Sequence, residues 1–400
     1  MKKVIYMDHA ATTKMARQVS EAMEVFKERI YGNPSSVHMQ GTASRERVQL
    51  AREDIMKTLG ATQGNVFFTS GGTESDNWVI RALGENDGKL SYRNMITSKI
   101  EHHAILNTMH YMEEQGCRVR YLDVDDKGIV STKQLEEMID RNTILVSVMM
   151  ANNEIGSIQP VKELSEIAHR AGAFFHTDAV QAYGQLDIDV DELGIDFLSA
   201  SGHKIYGPKG IGFLYARYPD VLKPLLYGGG QEMGHRAGTE NVMGIVGLAT
   251  ACNRLHRPEH IKVRKREEWL RDYMMEQIFD RIPYVRLNGH PTMRLPGNVN
   301  ICFRFVEAGS LVQALDLREI CCSSGSACSS HDAGPSHVLL ACGLPEELAY
   351  GSVRFSLGEE TTKQEVDYAV SVLEQEVYKL RKMSPDYEKR IGKKTGLRPT

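Results

Sequence analysis

The sequence has 400 residues, of which 42% are hydrophobic and 25% are charged, and its formal net charge is −4 at pH 7. This length fits two domains, or one large domain with an appendage, in an ordinary soluble globular protein. So small a net charge gives no reason to expect nucleic acid or an acidic membrane surface as a partner.

Neither a signal peptide nor a membrane span is indicated. The segment of residues 1–13 is too short and too polar for a signal peptide, and Asp8 and His9 interrupt its apolar residues. The longest apolar stretches, 144–151 and 242–252, are well short of a spanning helix. We therefore expect a soluble protein of the cytoplasm. The seven cysteines agree with this, because an odd number in a long chain does not indicate a disulfide framework. They form no zinc pattern, so no metal site is expected.

Short apolar segments alternate with helical patterns over the first 255 residues, which is typical of an α/β fold. The apolar spacing of residues 48–59 predicts a helix that ends at Gly60. A second helix is predicted from Lys162 to Ala171. Buried strands are predicted at residues 65–68, 94–98, 144–150, 173–177 and 196–200. The order strand, helix, strand predicts right-handed crossovers in a mostly parallel sheet.

The pattern changes near residue 255, where we place a domain boundary. A long charged helix is predicted after Pro258. The chain ends in another predicted helix, for which Thr362 and Glu365 form a capping-box signature.

Lys204 follows a predicted strand and lies among glycines. Such a lysine can be held against a flat ligand and partly desolvated, which lowers the pKa of its amine and lets it form a Schiff base. An exposed loop lysine is the alternative, since most lysines are exposed. The neighbours Ser201 and His203 favour the first interpretation, because both could donate to a phosphate.

A glycine-containing segment, Thr69 to Ser75, lies between a predicted strand and a predicted helix. Glycines let the backbone approach an anion closely, and the N–H groups of a helix start point towards it. The segment is neither a Walker loop nor a dinucleotide fingerprint. Taken alone, the segment is better interpreted as an ordinary strand-to-helix turn than as a phosphate-binding loop.

Asp178 lies at the carboxyl end of a predicted strand, where ligands bind in open α/β sheets. Its carboxylate could pair with a protonated pyridine nitrogen. Gln181, one turn further on, could reach a phenolic oxygen on the same ring. The alternative for Asp178 is a helix N-cap.

Histidines follow the strand at 94–98, in the sequence Glu101-His102-His103. One flat imidazole could stack on an aromatic cofactor, although a structural histidine is the more common case. Adjacent histidines face different ways, which argues against a shared metal. Residues 152–156 end another strand in the same manner.

Cys328 lies among small residues, which predicts the mobile, accessible loop that a nucleophilic thiol needs. Cys321 and Cys322 follow apolar residues and are expected to be buried. An ordinary free thiol is the alternative for all three. Arg354 lies in a short apolar strand, and a buried arginine requires a carboxylate partner, which could be that of a substrate.

Together these segments resemble the NifS/IscS-type cysteine desulfurases, within the fold-type I pyridoxal-phosphate enzymes. The resemblance runs nearly from end to end and includes residues 8–13, 32–38, 69–75, 101–103, 152–156, 176–179, 201–204, 236–241 and 325–328. It implies an α/β fold with a large domain, residues 15–255, built on a mostly parallel seven-stranded sheet flanked by helices. A smaller α+β domain, residues 1–14 and 256–400, would carry the Cys328 loop.

The resemblance also implies a role for each matching position. Lys204 would form a Schiff base with pyridoxal 5′-phosphate, Cys328 would become a persulfide, and His102 would carry the proton of the substrate thiol. The cofactor-binding positions would be Gly72, Thr73, His102, Asn153, Asp178, Gln181, Ser201, His203, Lys204 and Thr239, the last lent by the other subunit of a homodimer. The substrate-binding positions would be Asn33, Asn153 and Arg354.

The implied activity is removal of sulfur from L-cysteine, giving L-alanine and a persulfide on Cys328. The sulfur would pass to an acceptor protein, such as an iron–sulfur scaffold or a thiolation protein, for iron–sulfur cluster assembly or for thiolation of tRNA or cofactors. Rivals of the same fold are a selenocysteine lyase, an epimerase and a transaminase, which need Lys204 but no protein thiol. A more distant rival is a non-catalytic scaffold that binds partners or metal through its thiols.

Overall fold

The computed structural model describes residues 4–85, 93–325 and 334–387. Its strands are β1 (Ile5–Tyr6), β2 (Asn65–Thr69), β3 (Asn94–Ser98), β4 (Arg118–Leu122), β5 (Thr143–Ser147), β6 (Phe174–Asp178), β7 (Phe197–Ser201), β8 (Gly212–Ala216), β9 (Val285–Leu287), β10 (Asn298–Phe303), β11 (Ile320–Cys321) and β12 (Ser352–Ser356). Its helices are α1 (Arg17–Glu28), α2 (Met39–Thr58), α3 (Gly72–Gly84), α4 (His103–Glu114), α5 (Thr132–Met138), α6 (Val161–Arg170), α7 (Val242–Leu255), α8 (Pro258–Arg281), α9 (Ala308–Asp316), α10 (His337–Ala341), α11 (Glu346–Ala349) and α12 (Lys363–Lys382).

Seven strands form the main sheet, in the order β2-β8-β7-β6-β5-β3-β4. The strands from β7 to β4 run parallel, whereas β8 is antiparallel to both β2 and β7. The expected mostly parallel sheet is therefore confirmed. Its parallel strands carry their carboxyl ends to one edge, where β6 ends at Asp178 and β7 ends at Ser201.

Neighbouring residues of the main sheet enter two separate apolar cores. Val66 packs with residues of α2, α6 and α7, whereas Phe67 packs with residues of α3 and α4. Because side chains alternate between the faces of a strand, this split places a helical layer on each face. Both faces are covered, which explains why these strands appear in the sequence as nearly continuous apolar runs.

Most of the predicted elements are confirmed, with small differences at their ends. The strand at 94–98 has the predicted bounds, and the capping box of Thr362 and Glu365 is present at the start of α12. The strand predicted at 144–150 ends earlier, at Ser147, yet Val148 still donates its N–H to the carbonyl of β6 residue His176. The chain therefore stays extended for a short distance beyond the ladder.

A further apolar core lies around the antiparallel sheet β12-β10-β9 and includes residues of α8, α9 and α12. Ile5 and Met7 also belong to it, and β1 pairs with β11 in a two-stranded parallel sheet. The N-terminal segment then leaves this core and reaches the main sheet, where the Thr13 N–H donates to His203 O. The domain boundary near residue 255 remains a prediction. Across the described ranges, no helix combines the length and the apolar character needed to cross a membrane.

A buried ion pair joins α2 to the turn that follows β8. Both guanidinium Nη atoms of Arg52 donate to the Glu232 carboxylate, at 2.9 and 2.8 Å, and both residues are buried. Glu232 also accepts the N–H of Phe68 on β2. The pair therefore ties a helix, an edge strand and a turn together near the carboxyl edge of the sheet.

We expect Glu232→Gln to lower the free energy of unfolding by about 3 kcal/mol, because it leaves the Arg52 charge buried without a counter-ion. The matched control is Glu21→Gln, which removes one partner of the exposed Arg17–Glu21 pair and should cost less than about 1 kcal/mol. Urea unfolding of the variants measures both effects. Equal losses for the two variants would contradict this assignment.

Candidate active site

A cavity with about 760 Å³ of open space lies at the carboxyl ends of β6 and β7. It is lined by residues Ala10, Ala11, Gly72, Thr73, Asp76, His102, Met149, Ala151, Asn153, Asp178, Val180, Gln181, Ser201, His203, Lys204 and Arg354. Its lining brings an amine, two carboxyl groups, two imidazoles and a guanidinium together, which is the convergence of polar groups typical of a small-molecule site.

Lys204 ends a single turn of 3₁₀-helix that directly follows β7. Its Nζ donates to the carbonyl oxygens of Ala10 and Ala11, at 2.6 and 2.7 Å. Gln181 donates its amide N–H to the same Ala10 carbonyl, at 2.9 Å. The lysine is thus held at the cavity wall by backbone of the N-terminal segment, and the exposed-loop alternative is wrong.

Asp178, the last residue of β6, is 7% exposed. Its Oδ1 accepts the N–H of Val180 at 2.8 Å, and turns rather than a helix follow, so the N-cap alternative is wrong. Burial raises the pKa of Asp178, while the Val180 N–H and the charge of Lys204 lower it. The carboxylate is therefore available to a cationic group in the cavity.

Helix α3 begins at the cavity wall with Gly72 and Thr73. No side chain caps its N-terminus, so its first N–H groups can serve an anion. A Cβ atom on Gly72 would lie 2.5 Å from Val180 Cγ2, which shows how close the backbone approaches here. Ser201 and His203 line the same cavity, and together these groups form a cradle for a phosphate.

His102 is the N-cap of α4, where its Nδ1 accepts the N–H of Ala104 at 3.1 Å. The neutral ring therefore carries its proton on Nε2. Burial lowers the pKa of His102 to about 4, with further lowering by His103, Lys204 and His337. The imidazole is consequently uncharged near neutral pH.

Arg354 lies on β12 and is 1% exposed. Its Nη2 donates to Asp8 Oδ1 at 3.0 Å, and its Nη1 donates to the Asn153 carbonyl at 2.9 Å. The carboxylate partner expected for this arginine is thus supplied by the chain itself. These contacts use two of the five guanidinium N–H groups, and the Nε atom has no hydrogen-bond partner among the described residues.

Ten of the predicted site residues line this one cavity, namely Gly72, Thr73, His102, Asn153, Asp178, Gln181, Ser201, His203, Lys204 and Arg354. Two do not. Asn33 is exposed, and its Oδ1 accepts the N–H of Ser35 at 2.9 Å. Thr239 lines a different cavity, together with Ser70 and Arg236. Cys328 lies outside the described residues.

The prediction that Cys321 and Cys322 are buried is wrong, because both are half-buried. The chain leaves the core after β11, and the next residues are polar. Burial is the main cause that raises the pKa of each thiol, and the Asp8 charge adds to it. Both cysteines are therefore held as neutral thiols.

Six residues of the cavity wall were not assigned to the site from the sequence, namely Ala10, Ala11, Asp76, Met149, Ala151 and Val180. Ala10 and Ala11 act through backbone carbonyls, which leave no pattern of their own. Asp76 lies one helical turn after Gly72 and Thr73, and that spacing could have placed it on the same wall.

The cavity fits the pyridoxal phosphate that the resemblance implies. It holds an amine, a buried carboxylate, a neutral imidazole and an anion cradle, and a buried oxygen of Asp76 has no hydrogen-bond partner among the described residues. Within the same residues, no group of three or more His, Cys, Asp or Glu side chains is placed to hold a metal ion.

Comparisons with known proteins agree with these observations. The family model "Aminotransferase class-V" matches residues 5–369. The chain is 47% identical over 399 residues to "Cysteine desulfurase IscS" of Dictyoglomus turgidum, covering 99% of this chain and 100% of that protein. Among solved structures, a NifS-like protein gives a TM-score of 0.87 at 36% identity, covering 93% of this chain and 99% of the other. SspA, solved in complex with cysteine, gives 0.78 at 36% identity, covering 90% and 100%.

We expect pyridoxal phosphate added to the purified protein to form a Schiff base that borohydride fixes to Lys204. The Lys204→Ala variant should show neither the visible absorbance nor the fixed adduct, since no other amine of the described residues lines the cavity. Lys209→Ala, which changes an exposed lysine outside the cavity, is the control and should behave as wild type. Peptide mapping by mass spectrometry checks the position, and an adduct on another lysine would contradict it.

Proposed function

The chain belongs to the class-V aminotransferase family, and within it to the cysteine desulfurases, and on this premise we propose that it converts L-cysteine to L-alanine and keeps the sulfur as a persulfide on Cys328. One observation carries the proposal: Lys204, Asp178 and His102 line the same cavity, next to the first residues of α3. These are the groups that pyridoxal-phosphate chemistry on an amino acid requires.

Pyridoxal 5′-phosphate is the cofactor of this family. When bound, it supplies an electron sink for the electrons of the substrate Cα–H bond. The residues proposed to hold its phosphate are Thr73, Ser201 and His203, with the N-terminus of α3. Asp178 would pair with the ring nitrogen, Gln181 and Asn153 would hold the side of the ring oxygen, and His102 would stack on the ring.

Lys204 removes the Cα proton of the substrate and later returns a proton to the product. Its Nζ is positioned by the carbonyls of Ala10 and Ala11, which keep the side chain at the cavity wall. Arg354, and Asn153 whose carbonyl it contacts, bind the substrate carboxylate. The substrate is thereby oriented with its Cα towards the lysine.

His102 accepts the proton of the substrate thiol. It suits this role because its ring is neutral near pH 7 and so can take up a proton. Cys328, as a thiolate, attacks the substrate sulfur: an S–S bond forms, the C–S bond breaks, and its electron pair passes to the substrate carbon, which takes up a proton. The products are L-alanine and the persulfide, and no external oxidant is needed.

We further propose that two copies of the chain form a homodimer. Thr239 lies outside the Lys204 cavity of its own chain, as a residue lent to the phosphate site of a partner subunit would. Asn33 is likewise exposed. We also propose that the protein acts in the cytoplasm and that its sulfur passes to an acceptor protein, such as an iron–sulfur scaffold or a thiolation protein. The proposed large domain is formed by residues 15–255, and the proposed small domain by residues 1–14 and 256–400.

The decisive experiment measures alanine released from L-cysteine by the cofactor-loaded protein. Wild type should release alanine and Cys328→Ala should not, because without a thiol acceptor the sulfur cannot leave the substrate. Cys322→Ala is the matched control, and it should keep the activity, since its thiol is held neutral.

Each other outcome has a definite meaning. If Cys328→Ala still releases alanine, the protein thiol is not the nucleophile, and a lyase of the same fold becomes the better assignment. If Cys322→Ala is also inactive, the sulfur passes through both thiols. If wild type forms the Schiff base but no alanine, the substrate is a different amino acid.

A further inference from the structure

Asp76 is a buried acid that the proposed reaction does not use. It lies on α3, is 1% exposed and lines the same cavity as Asp178. Its Oδ1 has no hydrogen-bond partner among the described residues and lies 3.7 Å from Nε2 of His176. An orphaned oxygen at this depth is costly for an ionised carboxylate.

A buried hydrogen-bonded row ends at Asp76. His176 on β6 contacts Ser147 Oγ through Nδ1 at 2.8 Å and Ser199 Oγ through Nε2 at 3.0 Å. Ser199 in turn hydrogen-bonds the Asp76 carboxyl. The serines and the histidine are fully buried and belong to the three neighbouring strands β5, β6 and β7.

The electrostatic interactions of Asp76 are with other acids. Asp178 and Glu101 both act on it electrostatically, and His176 is neutral because burial lowers its pKa to about 3. Burial raises the pKa of Glu101 to about 8, so this acid is itself protonated near pH 7. The charge of Lys204, which lines the same cavity, acts on Asp178. Two carboxylates in one low-dielectric site do not both ionise readily.

We propose that Asp76 keeps its proton while Asp178 is ionised. Asp76 is then a positioning residue, because its neutral side chain leaves the negative charge that faces the ring nitrogen of the cofactor on Asp178. The proposal rests on the cofactor site described under the proposed function, but not on the desulfurase reaction. Burial is the largest cause that raises the pKa of Asp76, the Asp178 charge adds to it, and the hydrogen bond with Ser199 opposes both without reversing the direction.

The proton on Asp76 fixes the direction of the whole row. With Asp76 protonated, the acid donates to Ser199, Ser199 donates to His176 Nε2, and His176 donates from Nδ1 to Ser147. With Asp76 ionised, every donor and acceptor is exchanged, and the histidine proton moves to Nε2. The tautomer of His176 therefore reports whether Asp76 holds a proton.

Neutron diffraction from crystals of the cofactor-loaded wild-type protein, grown at about pH 7, tests this directly. We expect hydrogen on the Asp76 carboxyl and on His176 Nδ1, with Asp178 ionised. A bare Asp76 carboxylate with hydrogen on Nε2 would overturn the proposal. The experiment needs no variant, and its outcome does not depend on whether cysteine is the substrate.

A second test uses the pH dependence of stability. An acid whose pKa is higher in the folded than in the unfolded protein binds its proton more tightly when folded, so stability falls as the pH rises above the unfolded pKa of about 4. Asp76→Asn removes this loss. Relative to wild type, the urea midpoint of cofactor-loaded Asp76→Asn should rise steadily between about pH 5 and about pH 8.

Asp220→Asn is the control, because Asp220 is exposed, and its difference from wild type should not vary with pH. A constant difference for Asp76→Asn would overturn the proposal.

Cofactor retention separates the two acids. Asp76→Asn replaces one neutral group by another, so its affinity for pyridoxal phosphate should stay within about threefold of wild type, whereas Asp178→Asn should lose at least about tenfold. An equal loss in both variants would show that Asp76 is charged. If neither loses affinity, the ring-nitrogen role of Asp178 in the proposed function fails instead.

Discussion

Charges buried at the carboxyl edge of the main sheet need partners, and a short N-terminal segment supplies them. The carbonyls of Ala10 and Ala11 hold the Lys204 ammonium, and the Asp8 carboxylate holds the Arg354 guanidinium. Both cations are too enclosed to be hydrated fully, so their orientation follows from these contacts. Because Ile5 and Met7 are packed in the small core, the segment also fixes that core relative to the cavity.

Burial determines the charge states in the cavity as much as the choice of residues does. His102 is an ordinary histidine by sequence, yet its surroundings keep the ring neutral, and its N-cap contact with Ala104 decides which nitrogen holds the proton. Glu101 beside it is buried and accepts hydrogen bonds from the Ser98 hydroxyl and the Met149 N–H. One enclosed site thus combines an amine, a base and a counter-ion without accumulating like charges.

The sequence predicted most of the sheet and most of the cavity, because both rest on local patterns. An apolar run followed by a polar residue places Asp178 and Lys204 at strand ends, and parallel strands bring those ends together. The contact between Asp8 and Arg354 was beyond such reasoning, since the two residues lie 346 positions apart. Asp76 was missed for a different reason: its importance lies in a lack of partners, which only the packing reveals. Asn33 and Thr239 were also predicted at the site, and in the single chain both lie outside the cavity.

The residues of the site come from both the main sheet and the small antiparallel sheet, and this has a chemical consequence for Arg354. Asp178 ends strand β6 of the main sheet and Lys204 lies in the turn after β7, whereas Arg354 belongs to β12 of the small sheet. The guanidinium is nevertheless tied to the main-sheet side through the Asn153 carbonyl, and to the N-terminal segment through Asp8. A substrate carboxylate that binds the remaining N–H groups would therefore meet a cation whose plane is already set by two contacts. Ordering this side chain beforehand reduces the entropy lost when the substrate binds. The ion pair with Asp8 thus orients the arginine in advance, and the position of the guanidinium within the cavity depends on the same segment that holds Lys204.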